Sequence, residues 1–227
     1  NLRLGKAIDV FLNPDRIVAG VRSEVTRKRL EKLFTPITNK IEWMSIESAE
    51  MTKHAINAFL AISITFANEL ASICEMYGAD AKEIERGLKT EKRIGPHAYL
   101  SPGGPFAGGT LARDIDFLDK AAKEKSLTIP LIQSVRASND GHKKWIQRKL
   151  LEKFTTIKKL SVAIWGLTYK PETSTLPHSL AVELCDWLIC KGANVHVYDP
   201  AVQELPSRWN DKVDRFDDAL EALEKTK

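Results

Sequence analysis

Ser48-Ala49-Glu50-Met51-Thr52-Lys53-His54-Ala55-Ile56-Asn57-Ala58-Phe59-Leu60 opens the longest helical pattern in the chain. Met51, Ala55, Phe59, Ile62, Phe66, Leu70, Ile73 and Tyr77 carry it on in steps of three and four, and Gly78 follows as a stop. A helix over 48–77 spans about 45 Å at the helical rise, more than a small domain needs, and such helices often bridge domains or subunits. Its frequent alanines favour the helix and let a second helix approach closely. Lys53 and Asn57 share one face a turn apart; taken alone, they read as a solvated pair.

Outward from this helix the chain changes character in both directions. Upstream, 15–21 has the apolar run and glycine punctuation of a buried strand, and Ser23 is a good N-cap for a helix to about 34. Residues 40–45 alternate as a second short strand, so this part reads as the tail of an α/β domain. Downstream, Asp80 caps a short helix to about 88, and an irregular stretch over 89–109 holds Arg93, His97, Tyr99 and Phe106 among glycines and prolines. Loops of that length are usually functional or disordered. Its end, Gly103-Gly104-Pro105-Phe106-Ala107-Gly108-Gly109-Thr110-Leu111-Ala112-Arg113-Asp114, can lay backbone against a ligand and present the open N–H groups of the next helix. Thr110 reads as that helix's N-cap, with Asp114 one turn on. A plain connector loop is the simpler reading of these glycines alone.

Helical patterns follow over 111–125 and 130–154, with Pro130 suited to a first turn. The last third then reads strand (160–166), helix (179–191), Gly192 as a stop, strand (194–199) and a helix from about 216. This is the opening of a doubly wound parallel sheet, whose ligands sit beyond the carboxyl ends of strands. Lys170, four residues after Gly166, stands in that position. The chain contains no G-x-G-x-x-G, so the dinucleotide fingerprint is absent.

With 227 residues and 43% hydrophobic content the chain can bury a core, and its net charge of +4 comes from interleaved acids and bases. That leaves no basic stripe for nucleic acid. Cys74, Cys185 and Cys190 are odd in number and lack metal-ligand spacing; they read as small buried hydrophobes in a reducing compartment, with no metal. No apolar run reaches membrane-spanning length and no signal peptide is visible, so no membrane association and a cytoplasmic location are expected. The start at Asn1 and a helical pattern running to Lys227 read as cuts through a longer protein.

Several stretches together resemble the UDP-glucose/GDP-mannose dehydrogenase family: Asp15-Arg16-Ile17-Val18-Ala19-Gly20, the segment from Ala49 to Leu60, Arg93-Ile94-Gly95, the glycine loop to Asp114, Gly166-Leu167-Thr168-Tyr169-Lys170-Pro171-Glu172-Thr173, and Val197-Tyr198-Asp199-Pro200. The resemblance covers essentially the whole chain, in the family's order. It implies an α/β fold in which Rossmann-like parallel-sheet pieces flank an all-helical central domain with one long helix. Residues 1–46 would be the end of an NAD-binding domain whose fingerprint lies upstream. Residues 47–154 would be the central dimerisation and catalytic domain, and 155–227 part of a nucleotide-sugar-binding domain. A homodimer through the long helix is implied, with a nucleotide sugar as substrate and NAD as cofactor.

The family oxidises a sugar C6 alcohol to the carboxylate through a cysteine adduct, chemistry that suits a thiolate as nucleophile and leaving group. Carried over residue by residue, Lys53 and Asn57 stabilise oxyanions and order water, and Asp114 helps activate it. Arg93 reaches the nucleotide sugar, Tyr99, Phe106 and Gly108 pack on it, and Lys170 contacts it from the third domain. Arg113 replaces a lysine of the cofactor side. The nucleophile's position, counted back from Asp114, holds Thr110. The interval from Arg93 to Asp114 is about one residue longer than usual, and Ser174, Thr175 and Pro177 replace acidic residues and an arginine that contacts NAD. Two readings remain open: an oxidoreductase in which alcohol-to-aldehyde oxidation survives, and a non-catalytic nucleotide-sugar-binding or dimerising module.

Overall fold

The computed structural model describes residues 6–169, 171 and 173–226, which fall into two compact units divided inside the long helix, 1–59 and 60–227. In the first unit, helix α1 (Ala7–Leu12), not anticipated from sequence, precedes strand β1 (Ile17–Gly20), helix α2 (Glu24–Phe34), strand β2 (Ile41–Met44) and the start of helix α3 (Ile46–Tyr77). β1 and β2 pair in parallel, Ile17 opposite Ile41 and Gly20 opposite Met44. A parallel pair needs a crossover, and α2 supplies it. Ser23 caps α2 as expected, its hydroxyl accepting the Thr26 N–H at 3.2 Å. Gly20 is dictated by contact: a Cβ there would stand 2.7 Å from Ile46 Cα and 2.9 Å from Ala49 Cβ.

The second unit continues α3 and adds helix α4 (Ala81–Thr90), capped by the Asp80 carboxylate, which accepts the Lys82 N–H at 2.7 Å. After an irregular segment come helices α5 (Thr110–Glu124), α6 (Pro130–Lys143) and α7 (Trp145–Lys153). Strand β3 (Ser161–Trp165), helix α8 (Leu180–Cys190), strand β4 (Asn194–Tyr198), a 3-10 turn (Ser207–Trp209), strand β5 (Val213–Arg215) and helix α9 (Ala219–Glu224) complete it. β3, β4 and β5 form one parallel sheet in that order. Its core gathers Ile164, Val182, Cys185, Leu188, Val195 and Val197 from β3, α8 and β4, with Leu167 just past β3 and Trp209 of the 3-10 turn. Ser179 caps α8 through the Val182 N–H.

Several local expectations are corrected. The single helix over 130–154 is two: Lys144 sits at φ −84, ψ 3, and its N–H reaches back to Gly141 rather than to the residue four before it. Gly141 is the weak helix former beside the break. The last helix starts at Ala219, because β5 claims residues before it and Asp218 caps it through the Leu220 and Glu221 N–H groups. Cys74 and Cys185 are buried as expected, whereas Cys190, at the end of α8, is exposed.

The apolar series of α3 also faces differently. Phe59, Phe66, Ile73 and Tyr77 are exposed, while Asn57, Ala58, Ala61, Thr65, Ala67, Asn68 and Cys74 are buried. Small side chains bring the packed face close to its neighbours, and the bulky ones stand outward. Contrary to the run-based reading, α3 is long and apolar enough to cross a membrane. No unbroken run reveals this, because its apolar residues are interleaved with polar ones, among them Asn57, Thr65 and Asn68, that pack against protein.

Candidate active site

Three side chains hold the glycine segment by its backbone. Asn68 of α3 accepts the Gly103 N–H at 2.9 Å, and His142 of α6 meets the Gly103 carbonyl oxygen at 2.9 Å through Nε2, the nitrogen that must carry the proton. Asn139, one turn before His142 and 2% exposed, uses both ends of its amide on Phe106: Oδ1 accepts the N–H and Nδ2 donates to the carbonyl, each at 2.9 Å. The loop would otherwise bury the Phe106 peptide unpaired. Phe106 itself is buried, so the segment is pinned at two points before it enters α5.

The entry into α5 corrects one expectation. Gly109, not Thr110, is the N-cap, and no side chain caps the helix. Thr110 is the first helical residue and is exposed; Asp114, one turn later, is buried, and Arg113 between them is exposed. Phe106, Gly108, Thr110, Arg113 and Asp114 thus follow one another along a single stretch of chain, Phe106 and Asp114 buried and the other three exposed. Arg93 is exposed and donates through Nε to Glu91 at 3.0 Å, a bond that holds the Glu91 carboxyl below its ordinary range, and Tyr99 is exposed. In the first unit, Asn57 is buried and Lys53, a turn earlier on α3, is exposed.

At the carboxyl ends of the second sheet, Gly166 takes φ +88 as the chain leaves β3. The buried Asp199, just past β4, accepts the Leu167 N–H at 2.6 Å and the Ala201 N–H at 2.8 Å, tying the exits of β3 and β4 together. The segment after β3 thus starts from a fixed point. Lys170, expected there, lies outside the described residues.

That segment ends at a residue the sequence reading did not single out. His178 sits at φ +64, an uncommon backbone state for a residue with a Cβ, and its ring lies over Gly108: a Cβ on Gly108 would come within 3.2 Å of Nδ1. Nothing in the sequence pattern marks His178, because the contact joins two distant loops. Asn139 and His142 were equally silent, being polar residues within a helical run.

Residues 47–141 match the central domain of the UDP-glucose/GDP-mannose dehydrogenase family, and residues 163–227 match that family's UDP binding domain. The chain belongs to the UDP-glucose/GDP-mannose dehydrogenase family. It is 34% identical over 226 residues to UDP-glucose 6-dehydrogenase TuaD of Bacillus subtilis, covering 99% of this chain and 49% of that protein. It is 35% identical over 228 residues to UDP-glucose 6-dehydrogenase AglM of Haloferax volcanii, covering 98% and 52%. Among solved structures, a UDP-glucose dehydrogenase from the hyperthermophilic archaeon Pyrobaculum islandicum superimposes with a TM-score of 0.87 at 29% identity, over 100% of this chain and 52% of that one. The chain spans about half the length of the relatives it matches.

The described residues do not build a dinucleotide cradle. The N-terminus of α2, which follows β1, is capped by Ser23, and Gly20 at the end of β1 is packed against Ile46 and Ala49 rather than open to a phosphate. Among the described residues, this β1–α2 junction does not fit the pyrophosphate seat of a nicotinamide dinucleotide.

Proposed function

We propose that this chain is the substrate-handling portion of a nucleotide-sugar dehydrogenase that oxidises the C6 alcohol of a UDP- or GDP-sugar, with Thr110 in the seat of the nucleophilic cysteine. NAD would be the oxidant, and the described residues do not cradle it. The observation that carries the reading is the pinned glycine segment delivering Thr110 and the buried Asp114 on successive turns of α5. In this reading 1–46, 47–154 and 155–227 are parts of three domains. Arg93 and Lys170 grip the nucleotide sugar, with Tyr99 and Phe106 packing on it. Arg113 lies toward the cofactor.

The proton and charge handling follows from residue chemistry. The Lys53 ammonium stabilises negative charge on the sugar oxygen as its proton leaves, and Asn57 and Asp114 hold water. A threonine hydroxyl does not ionise near neutral pH without a base, and its alkoxide is a poor leaving group. The covalent route to the acid is therefore closed, and the reaction stops at the aldehyde or proceeds through its hydrate.

The assay is NADH release with a panel of UDP- and GDP-sugars, run on a longer protein that carries this chain together with a dinucleotide site; the chain by itself is expected to give no turnover under either reading. Complete absence of turnover by that longer protein across the panel refutes the oxidoreductase reading. Nucleotide-sugar binding without turnover would select the second reading, a non-catalytic binding module, which the paired changes at Thr110 and Pro177 favour.

The reading includes a cytoplasmic homodimer through α3, where Phe66, Ile73, Met76 and Tyr77 form an exposed apolar surface. A clean monomer by light scattering counts against it.

A further inference from the structure

A depression of about 780 Å³ opens at the amino end of the β3–β4–β5 sheet, opposite the end that carries Gly166 and Asp199. Ser161 and Asn194, the first residues of β3 and β4, line it, and the ends of α8 and α9 reach it. None of the described residues of the candidate active site lines it.

Cys190, the last residue of α8, stands in this depression with its thiol exposed, whereas Cys74 and Cys185 are buried. Lys212 and Lys225 line it too, both exposed, and neither ammonium has an ion-pair or hydrogen-bond partner among the described residues. A third lysine, Lys158, lays its stem along Gly192 on the same wall, its Cγ 3.5 Å from where a Cβ would stand. Two carboxylates, Asp211 and Asp214, share the lining. Cations in excess over carboxylates around one open thiol suit a ligand that carries both charges, the negative in excess.

The floor gives a separate sign that the depression is incomplete. His196 lines it at 7% exposure, and neither ring nitrogen has a hydrogen-bond partner among the described residues. Asp214 comes within 3.2 Å of Nδ1 but is out of line for a bond. Buried polar groups are seldom left so.

We propose that Cys190 is a modification site for small disulfides of the glutathione class, drawn in by Lys158, Lys212 and Lys225. The Cys190 sulfur, as thiolate, attacks one sulfur of the disulfide. A new S–S bond forms to Cys190, the old one breaks, and the released half leaves as a thiol with the proton that Cys190 gave up. Cys190 is oxidised, the released half is reduced, and a free thiol reverses the exchange. This does not depend on the dehydrogenase reading.

The experiment follows adduct formation on the reduced native chain by intact-protein mass spectrometry and maps the site by digestion. Oxidised glutathione is compared with the neutral hydroxyethyl disulfide and the cationic cystamine, which separates attraction by the site from the thiol's own reactivity. Glutathione should react roughly tenfold faster than the neutral disulfide, and cystamine more slowly than either. Lys212→Gln with Lys225→Gln should bring the glutathione rate down by about threefold or more and leave the neutral rate unchanged. Should that variant not fold, about 1 M salt must erase the preference in the unaltered chain, because it shortens the reach of the lysines to about 3 Å. Equal rates for the three disulfides, a preference untouched by both salt and the substitutions, or an adduct that persists in Cys190→Ser overturns the proposal.

Discussion

Replacing Asn139 by leucine tests whether the glycine segment is held as described. The substitution keeps the branched four-atom outline of the side chain and removes both hydrogen bonds to Phe106, whose peptide is buried with it. Each backbone group left unpaired costs about 1–3 kcal/mol, so the loss should be about 2–6 kcal/mol. Against a typical total of about 5–15 kcal/mol this is a large fraction and is measurable by urea unfolding. A midpoint shift with unchanged slope is expected. A loss below about 0.5 kcal/mol, the size of an ordinary surface change, would show that the segment does not rely on Asn139.

Asn139→Asp sharpens the test. Its carboxylate could still accept the Phe106 N–H, but its second oxygen would face the Phe106 carbonyl. Burial and that oxygen both disfavour the charged form, raising the folded-state pKa above the unfolded value near about 4. The protonated acid can donate to the carbonyl. Its contribution is therefore complete below the unfolded pKa and lost as pH rises through the raised one. Asn139→Asp should be closer to wild type in mild acid than at neutral pH. The opposite trend would refute the assigned amide orientation.

Gly108→Ala would place a Cβ 3.2 Å from His178 Nδ1. The ring can swing aside, so stability should change by less than about 1 kcal/mol while the His178 ring signals move in NMR. Asp186 binds Arg208 in a forked pair at 3.0 and 2.9 Å and accepts the Trp209 indole N–H at 2.6 Å, so Asp186→Ala should cost about 1–3 kcal/mol in urea unfolding. The Arg208 bond, chiefly, lowers the Asp186 pKa; its contribution is present above the unfolded value and lost as pH falls through the depressed one, so wild type should lose more stability in acid than the variant. Burial pushes the Cys185 thiol up to about 12 and Cys74 is buried, so a thiol reagent should find one fast-reacting cysteine, Cys190, in the native protein and three after unfolding.

Elements with strong local signals were legible in the sequence. Ser23 and Asp80 cap the helices expected of them, and β1 to β4 fall within the anticipated runs. Elements settled by tertiary contact were not. β5 is three residues long and exists by pairing with β4, and which face of α3 is buried depends on what packs there. Phe59 and Phe66 carry the periodicity, yet Ala58 and Ala61 make the packed face. The site divides the same way. Phe106, Gly108, Thr110 and Asp114 belong to one stretch of chain and could be read as a unit. Asn68, Asn139, His142 and His178 act on that stretch from elsewhere, and a single sequence carries no sign of such a meeting.

The cap at the start of α5 joins fold and chemistry. Had Thr110 been the N-cap, its hydroxyl would accept a backbone N–H and serve the helix. With Gly109 in that role, and with the segment pinned through Gly103 and Phe106, the side chain at position 110 is not needed to start α5. The frame therefore admits cysteine or threonine at that position, and the difference between them is chemical. Thr110→Cys should leave stability within about 0.5 kcal/mol, as for a surface change, and add a second thiol that reacts in the native protein. If the seat is the one proposed, the variant should also gain the covalent step that threonine cannot perform, seen as a trapped adduct or as acid product with the sugar that wild type oxidises or binds. A large loss of stability would instead assign the Thr110 hydroxyl to the fold, and the separation of frame from nucleophile would fail.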